Sequence, residues 1–185
     1  MSVDRKGQPL TGEPHDFEDL RQYRLDPEDE EAMLRAQTEC TFIWSNREGW
    51  PVGVTVAYLW RDGCFWTTAA AHRPRVKAVA RDPRVSMCVS SIGTSVGGMK
   101  TVTYKGICTI HDDADTKAWF YPALAEVVSP GDEGFRRGFE RFLDSPDRVI
   151  LRIEPGQRID YDGVKMMRAA IGWIKQEGAR ERPPA

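Results

Sequence analysis

The sequence predicts a mainly antiparallel β domain with flanking helices, an α+β barrel or sandwich, and three observations carry that reading. β-branched and aromatic runs follow one another along residues 40–111, with turn residues between them. The helical stretches do not alternate one for one with those runs, which argues against a doubly wound parallel sheet. With 185 residues, 41% of them hydrophobic, the chain is long enough to bury one core without disulfide or metal staples. Six or seven strands are expected.

Residues 1–26 are polar, broken by Pro9, Gly12 and Pro14, and read as a flexible or wrapping arm before the main domain, residues 27–162. A helix is predicted over 27–37: carboxylates at Glu28, Asp29, Glu30 and Glu31 suit the positive end of its dipole, as a solvated face, and Met33 and Leu34 supply apolar contacts. Strands are predicted at 40–46 and 52–60, then at 64–68 after the tight turn Arg61-Asp62-Gly63. A short helix over 73–82 is bounded by Pro74 and Pro83, and strands follow at 85–91 and 100–111. Helices come next at 113–127 and 132–143, the second with Phe135, Phe139, Phe142 and Leu143 on one stripe. Two last strands, 148–154 and 158–161, are predicted on either side of Pro155-Gly156. Residues 163–185 close the chain as a helix, strongest over 164–175, and a tail.

Several function classes are disfavoured. The net charge of −2 and pI near 6.0 give no general attraction for nucleic acid. No uncharged apolar stretch approaches the ~20 residues of a membrane span, and the first residues lack the apolar core of a secretory signal, so a cytoplasmic location and no membrane partner are expected. Cys40, Cys64, Cys88 and Cys108 lack close pair spacing and sit in apolar or β-branched runs, as small buried hydrophobes do in a reducing compartment. His15, His72 and His111 are equally scattered, and no metal site is expected.

The most informative stretch is Thr67-Thr68-Ala69-Ala70-Ala71-His72-Arg73-Pro74-Arg75-Val76-Lys77. A strand ends in two hydroxyl residues, small residues follow, and three basic residues crowd the start of a helix. Cations are disfavoured there, because the macrodipole already places positive charge at that end. A bound anion relieves the conflict, and free N–H groups, hydroxyls and guanidinium forks together describe a phosphate site. A short basic helix with solvated side chains is the structural alternative.

The order of these elements, with Arg81-Asp82-Pro83-Arg84-Val85-Ser86 after the basic cluster and Lys100-Thr101-Val102-Thr103-Tyr104-Lys105-Gly106 further on, resembles the pyridoxamine 5'-phosphate oxidase-like split β-barrel family. Within it the chain is most similar to the small flavin- or deazaflavin-dependent oxidoreductases, over residues 30–161. The resemblance implies an FMN-binding split barrel. It assigns the cofactor phosphate to Arg75, eight positions before Pro83, with Arg73 at a second commonly basic position and Lys77 at the same end. It also places Thr67 and Thr68 beside the cofactor, and Trp66 and the 54–56 strand beneath the ring. Lys100 keeps the charge of a second family motif, in which Thr101 stands where the family has an amide.

The resemblance implies an oxidoreductase that uses FMN, or alternatively the deazaflavin coenzyme F420, on a small organic molecule, with the cofactor in a groove between two subunits of a homodimer. A cofactor- or haem-binding module of the same fold, without turnover, is the other reading. Arg158-Ile159-Asp160-Tyr161-Asp162 lacks the histidine that true pyridoxamine-phosphate oxidases carry near this point, which disfavours the vitamin B6 reaction. No catalytic side chain is assigned. His72 and Tyr104 are proton donors only by residue type.

Overall fold

The path of the chain is fixed by one antiparallel sheet of seven strands in the computed structural model, which describes residues 19–180. The strands are β1 (Glu39–Ser45), β2 (Pro51–Ala57), β3 (Leu59–Arg61), β4 (Cys64–Ala70), β5 (Arg84–Ser90), β6 (Lys100–His111) and β7 (Arg148–Asp162). Their order across the sheet is β2-β1-β5-β6-β7-β4-β3. The sheet curls so that its ends meet: Thr67 in β4 donates its hydroxyl hydrogen to the Ala57 carbonyl at the end of β2, at 2.8 Å. This is the split-barrel form that the resemblance implies, in the expected α+β class. The helices are α1 (Pro27–Ala36), α2 (Pro74–Arg81), α3 (Ala114–Val128), α4 (Glu133–Leu143) and α5 (Gly163–Arg180). None of them is long and apolar enough to cross a membrane.

Strand alternation divides the core in two. Phe42, Tyr58, Phe65, Met87, Val102, Leu151 and Ile153 fill the barrel with Met33 and Leu34 of α1. On the outer face Leu59, Ile150 and Trp66 pack beneath Phe120, Leu124 and Leu143 from α3 and α4. Successive residues therefore serve opposite sides, as Phe65 and Trp66 do in β4 and as Ile150 and Leu151 do in β7.

Three details depart from the sequence reading. The strand predicted over 52–60 breaks at Tyr58, whose N–H bonds the Thr38 carbonyl and whose hydroxyl donates to the Leu34 carbonyl at 2.8 Å. The break carries the chain from β2 on one edge of the sheet to β3 on the other. The two strands predicted around Pro155-Gly156 are one, β7. The irregularity is an extra residue in β7, where Gly156 and Gln157 stand opposite Lys105 between the Tyr104 and Gly106 pairings, and Gly106 permits the close approach, because a Cβ there would stand 2.8 Å from the Glu154 carbonyl oxygen. Third, Glu30 is buried rather than on a solvated helix face. It accepts from the Tyr104 hydroxyl and pairs with Arg158, which also reaches Asp160 at 3.1 Å.

Of the stretch expected as an arm, residues 19–26 lie against the barrel: Tyr23 and Leu25 are buried, and the Leu25 N–H donates to Asp160 at 3.0 Å. Residues 1–18 and the expected tail, 181–185, lie outside the described residues.

Candidate cofactor site

β4 runs out at Ala70, and the next residues turn directly into α2. The Ala71 N–H bonds the Asp147 carbonyl at 2.6 Å, and the Arg73 N–H bonds the Ala70 carbonyl at 3.0 Å. Pro74 takes the first helical position, where a missing N–H costs nothing. Arg73 is the N-cap and supplies no side-chain cap, and the first turn holds no acid. α3 and α4 are capped normally, by Asp113 on the Thr116 N–H and by Asp132 on the Phe135 N–H. α2 buries Val76, Ala78 and Val79, leaving Arg73 and Lys77 exposed and Arg75 half-buried at the strand end.

Arg75 meets no carboxylate among the described residues, and its Nε is buried without a hydrogen-bond partner. Burial, and then the like charges of Arg73 and Arg148, hold its guanidinium below the ordinary arginine value. Arg148, which the sequence reading does not single out, is a further cation acting on Arg75. It pairs with Ala70 across β4 and β7 and so shares that residue's face of the sheet. Its Nε is also buried and unpartnered, and its guanidinium carbon lies 5.2 Å from the centre of the Phe142 ring. Nearby, the Tyr121 hydroxyl is a third buried polar atom with no partner. Burial pushes its pKa up, opposed by the charge of Arg148. Nothing in the sequence marks Arg148, because only the β4–β7 register brings it to the start of α2.

The remaining predicted residues do not all converge here. Thr67 faces the barrel interior and is buried, whereas Thr68 faces outward on the side of Ala70 and Arg148. Both hydroxyl hydrogens are engaged, by the Ala57 and Val149 carbonyls respectively, each at 2.8 Å. Lys100 stands at the far end of β6, buried, with its Nζ 3.6 Å from Asp29 and 3.4 Å from the Val96 carbonyl. Lys100 pairs with Asp162 at the end of β7, whereas Arg148 starts that strand, so Lys100 is separated from the arginines.

Trp66, expected beneath a ring, is covered by its own chain: Trp119 meets it edge-on at 4.8 Å, and Arg152 lies 5.7 Å from its ring. Tyr104 is committed to Glu30, and burial pushes its hydroxyl up to about 12, so it is a poor proton donor near neutrality. His72 is exposed. A groove of about 960 Å³ opens elsewhere, with Trp44, Arg84, Lys105 and Glu154 in its walls, and none of the predicted cofactor residues lines it.

No protein-family model matches the sequence, and no curated relative matches it either. Solved structures do resemble it. A conserved hypothetical protein of Mycobacterium tuberculosis superposes with a TM-score of 0.65 at 18% identity, over 76% of this chain and 86% of that one. An F420 reductase gives 0.54 at 18% identity, over 70% and 94% of the two chains. A Listeria innocua protein provisionally described as a pyridoxamine 5'-phosphate oxidase gives 0.55 at 16% identity, over 72% and 95%.

Proposed function

From a chain with the split-barrel fold of the pyridoxamine 5'-phosphate oxidase-like proteins, we propose an oxidoreductase that holds a flavin or deazaflavin nucleotide by its phosphate and acts on a small organic molecule. One observation carries the reading. Arg75 is a half-buried cation with an unpartnered Nε, beside Arg73 and Arg148, and no described carboxylate neutralises the group. A buried donor left unpaired costs about 1–3 kcal/mol and gathered like charges repel, so the cluster favours an anion as its counter-charge. The phosphate of FMN is such an anion. The F420 reductase among the similar structures supports the deazaflavin coenzyme as the second ligand to test.

When bound, the cofactor supplies the hydride chemistry. The chain's residues bind and orient. Arg75 and Arg73 grip the phosphate, assisted by the free Arg75 N–H at the start of α2, and Lys77 adds charge at the exposed rim. Thr67 and Thr68 set the position of the strand end that α2 leaves, since their hydroxyl hydrogens are already engaged. Lys100 takes no part in the phosphate contact of its own subunit. No described side chain is positioned as a dedicated acid or base, so proton exchange falls to the cofactor and solvent.

We read the assembly as a homodimer. The outer faces of the adjacent strands β6 and β7 leave Ile107 50% and Ile159 66% exposed, and a second copy would cover them. Light scattering should give twice the 21.0 kDa chain mass.

The direct test is retention. The purified protein is incubated with FMN or with F420, desalted, and its visible spectrum is recorded. A retained cofactor spectrum, followed by turnover with an added electron acceptor, supports the reading; retention without turnover leaves the non-catalytic binding module. Retention of neither cofactor overturns both.

A further inference from the structure

We propose that Arg148 is a third arm of the phosphate site and makes it selective for a doubly charged phosphate monoester, with Phe142 as its positioning residue. The inference rests on the cofactor reading above and goes beyond it in residue and in ligand class. Arg148 comes from β7, more than seventy positions along the chain from Arg75, and reaches the start of α2 because its strand partner is Ala70. Two guanidinium groups from different elements thus share one region, each with a buried Nε that no described group accepts from.

Like charges brought together without a carboxylate between them repel, and the barrel has carboxylates to spend elsewhere. Arg158 takes Glu30 and Asp160, Arg136 takes Glu126, and Arg84 takes Asp82. The cluster of Arg73, Arg75 and Arg148 takes none among the described residues. An anionic ligand would supply the counter-charge, and three arginines match a dianion better than a monoanion.

The helical insert between β6 and β7 aims this arm. α4 presents Phe135, Phe139 and Phe142 as a ladder of stacked rings, with centroids 5.7 and 6.1 Å apart. The last ring, 63% exposed, lies against the Arg148 guanidinium. A ring face holds a guanidinium in place without neutralising it or consuming its donors. That is what a side chain kept ready for an anion requires. Phe142 therefore acts through Arg148.

The test titrates wild type, Arg148→Ala, Arg148→Lys, Phe142→Leu and Arg75→Ala with FMN and with riboflavin, which has the same ring system and no phosphate. Thermal melts run alongside. Losing one charge-assisted contact should weaken FMN roughly tenfold or more in Arg148→Ala, with riboflavin unchanged. Arg148→Lys should recover part of the loss, and Phe142→Leu should lose a few-fold on FMN alone. A parallel titration with F420, whose phosphate is a diester, should show a smaller Arg148→Ala effect than FMN does.

If Arg75→Ala loses FMN and Arg148→Ala does not, the third arm is wrong and the cofactor reading stands. If Arg148→Ala weakens FMN and riboflavin equally, or the diester as much as the monoester, the proposal also fails. If wild type binds FMN no better than riboflavin and does not bind F420, the cofactor reading itself fails. Should Arg148→Ala melt early, the FMN-to-riboflavin ratio in Arg148→Lys decides, since a purely structural role leaves that ratio unchanged.

Discussion

Arg75 and Arg148 reach the same region from α2 and β7 as like charges, and the Nε of each is buried without a partner. Protein interiors rarely leave a buried donor unpaired, and they leave two in one like-charged group less often still. The relationship is costly for the free chain, and a bound anion would offset that cost.

The barrel should not depend on Arg84. That side chain is exposed and paired with Asp82 at 2.7 Å, on the far side of α2 from Arg75. Arg84→Ala should change FMN affinity by less than about twofold, since its charge is solvent-screened and already paired with Asp82. Fluorescence titration reads this, and a tenfold loss would show that the cationic cluster extends along the whole helix.

Glu30 is a different matter. It is buried between Tyr104 and Arg158 and ties α1 to the barrel. Glu30→Ala leaves part-buried Arg158 with Asp160 alone and should destabilise the protein by about 3 kcal/mol. Urea denaturation measures it. A loss below about 1 kcal/mol would place the pair with ordinary surface ion pairs.

Thr67→Val removes the hydroxyl that joins β4 to the end of β2. The expected result is a stability loss of about 1 kcal/mol with FMN affinity kept within about twofold. The converse, intact stability with weakened FMN, would put this hydroxyl in the cofactor site.

Cysteine reactivity follows burial. Cys40, Cys64 and Cys108 are buried, and desolvation pushes the Cys108 thiol up to about 12. The thiolate is the reactive form, so at pH 8 Cys108 should be inert in the folded protein. A thiol-disulfide reagent should modify at most half-buried Cys88 before denaturant is added and all four cysteines afterwards. Rapid native modification of Cys108 would contradict the packing of β6.

The sequence carried most of the architecture because strands and turns are local signals. Asp62-Gly63 marks the β3–β4 turn, and Pro74 and Pro83 bracket α2. Less legible were features decided by long-range register. Tyr58 ends β2 because its N–H and hydroxyl meet Thr38 and Leu34, and Gly106 lets β7 pass Pro155 unbroken. The site divided in the same way. Arg73, Arg75 and Lys77 stood out as basic residues at a helix start, a conflict visible in one dimension. Arg148 did not, since its place near the start of α2 depends on lying opposite Ala70. Adjacent Thr67 and Thr68 looked like one contact, yet strand alternation sends them to opposite faces.

The most direct test of the cofactor account is the affinity of wild type and Arg75→Ala for FMN, riboflavin and F420, followed by ligand fluorescence. The account predicts that wild type binds at least one of the two phosphorylated ligands, that riboflavin binds at least tenfold more weakly than FMN if FMN is that ligand, and that Arg75→Ala loses roughly ten- to a hundredfold on the phosphorylated ligand while the melting temperature of the free protein does not fall. Arg75→Ala binding both phosphorylated ligands as tightly as wild type would contradict it.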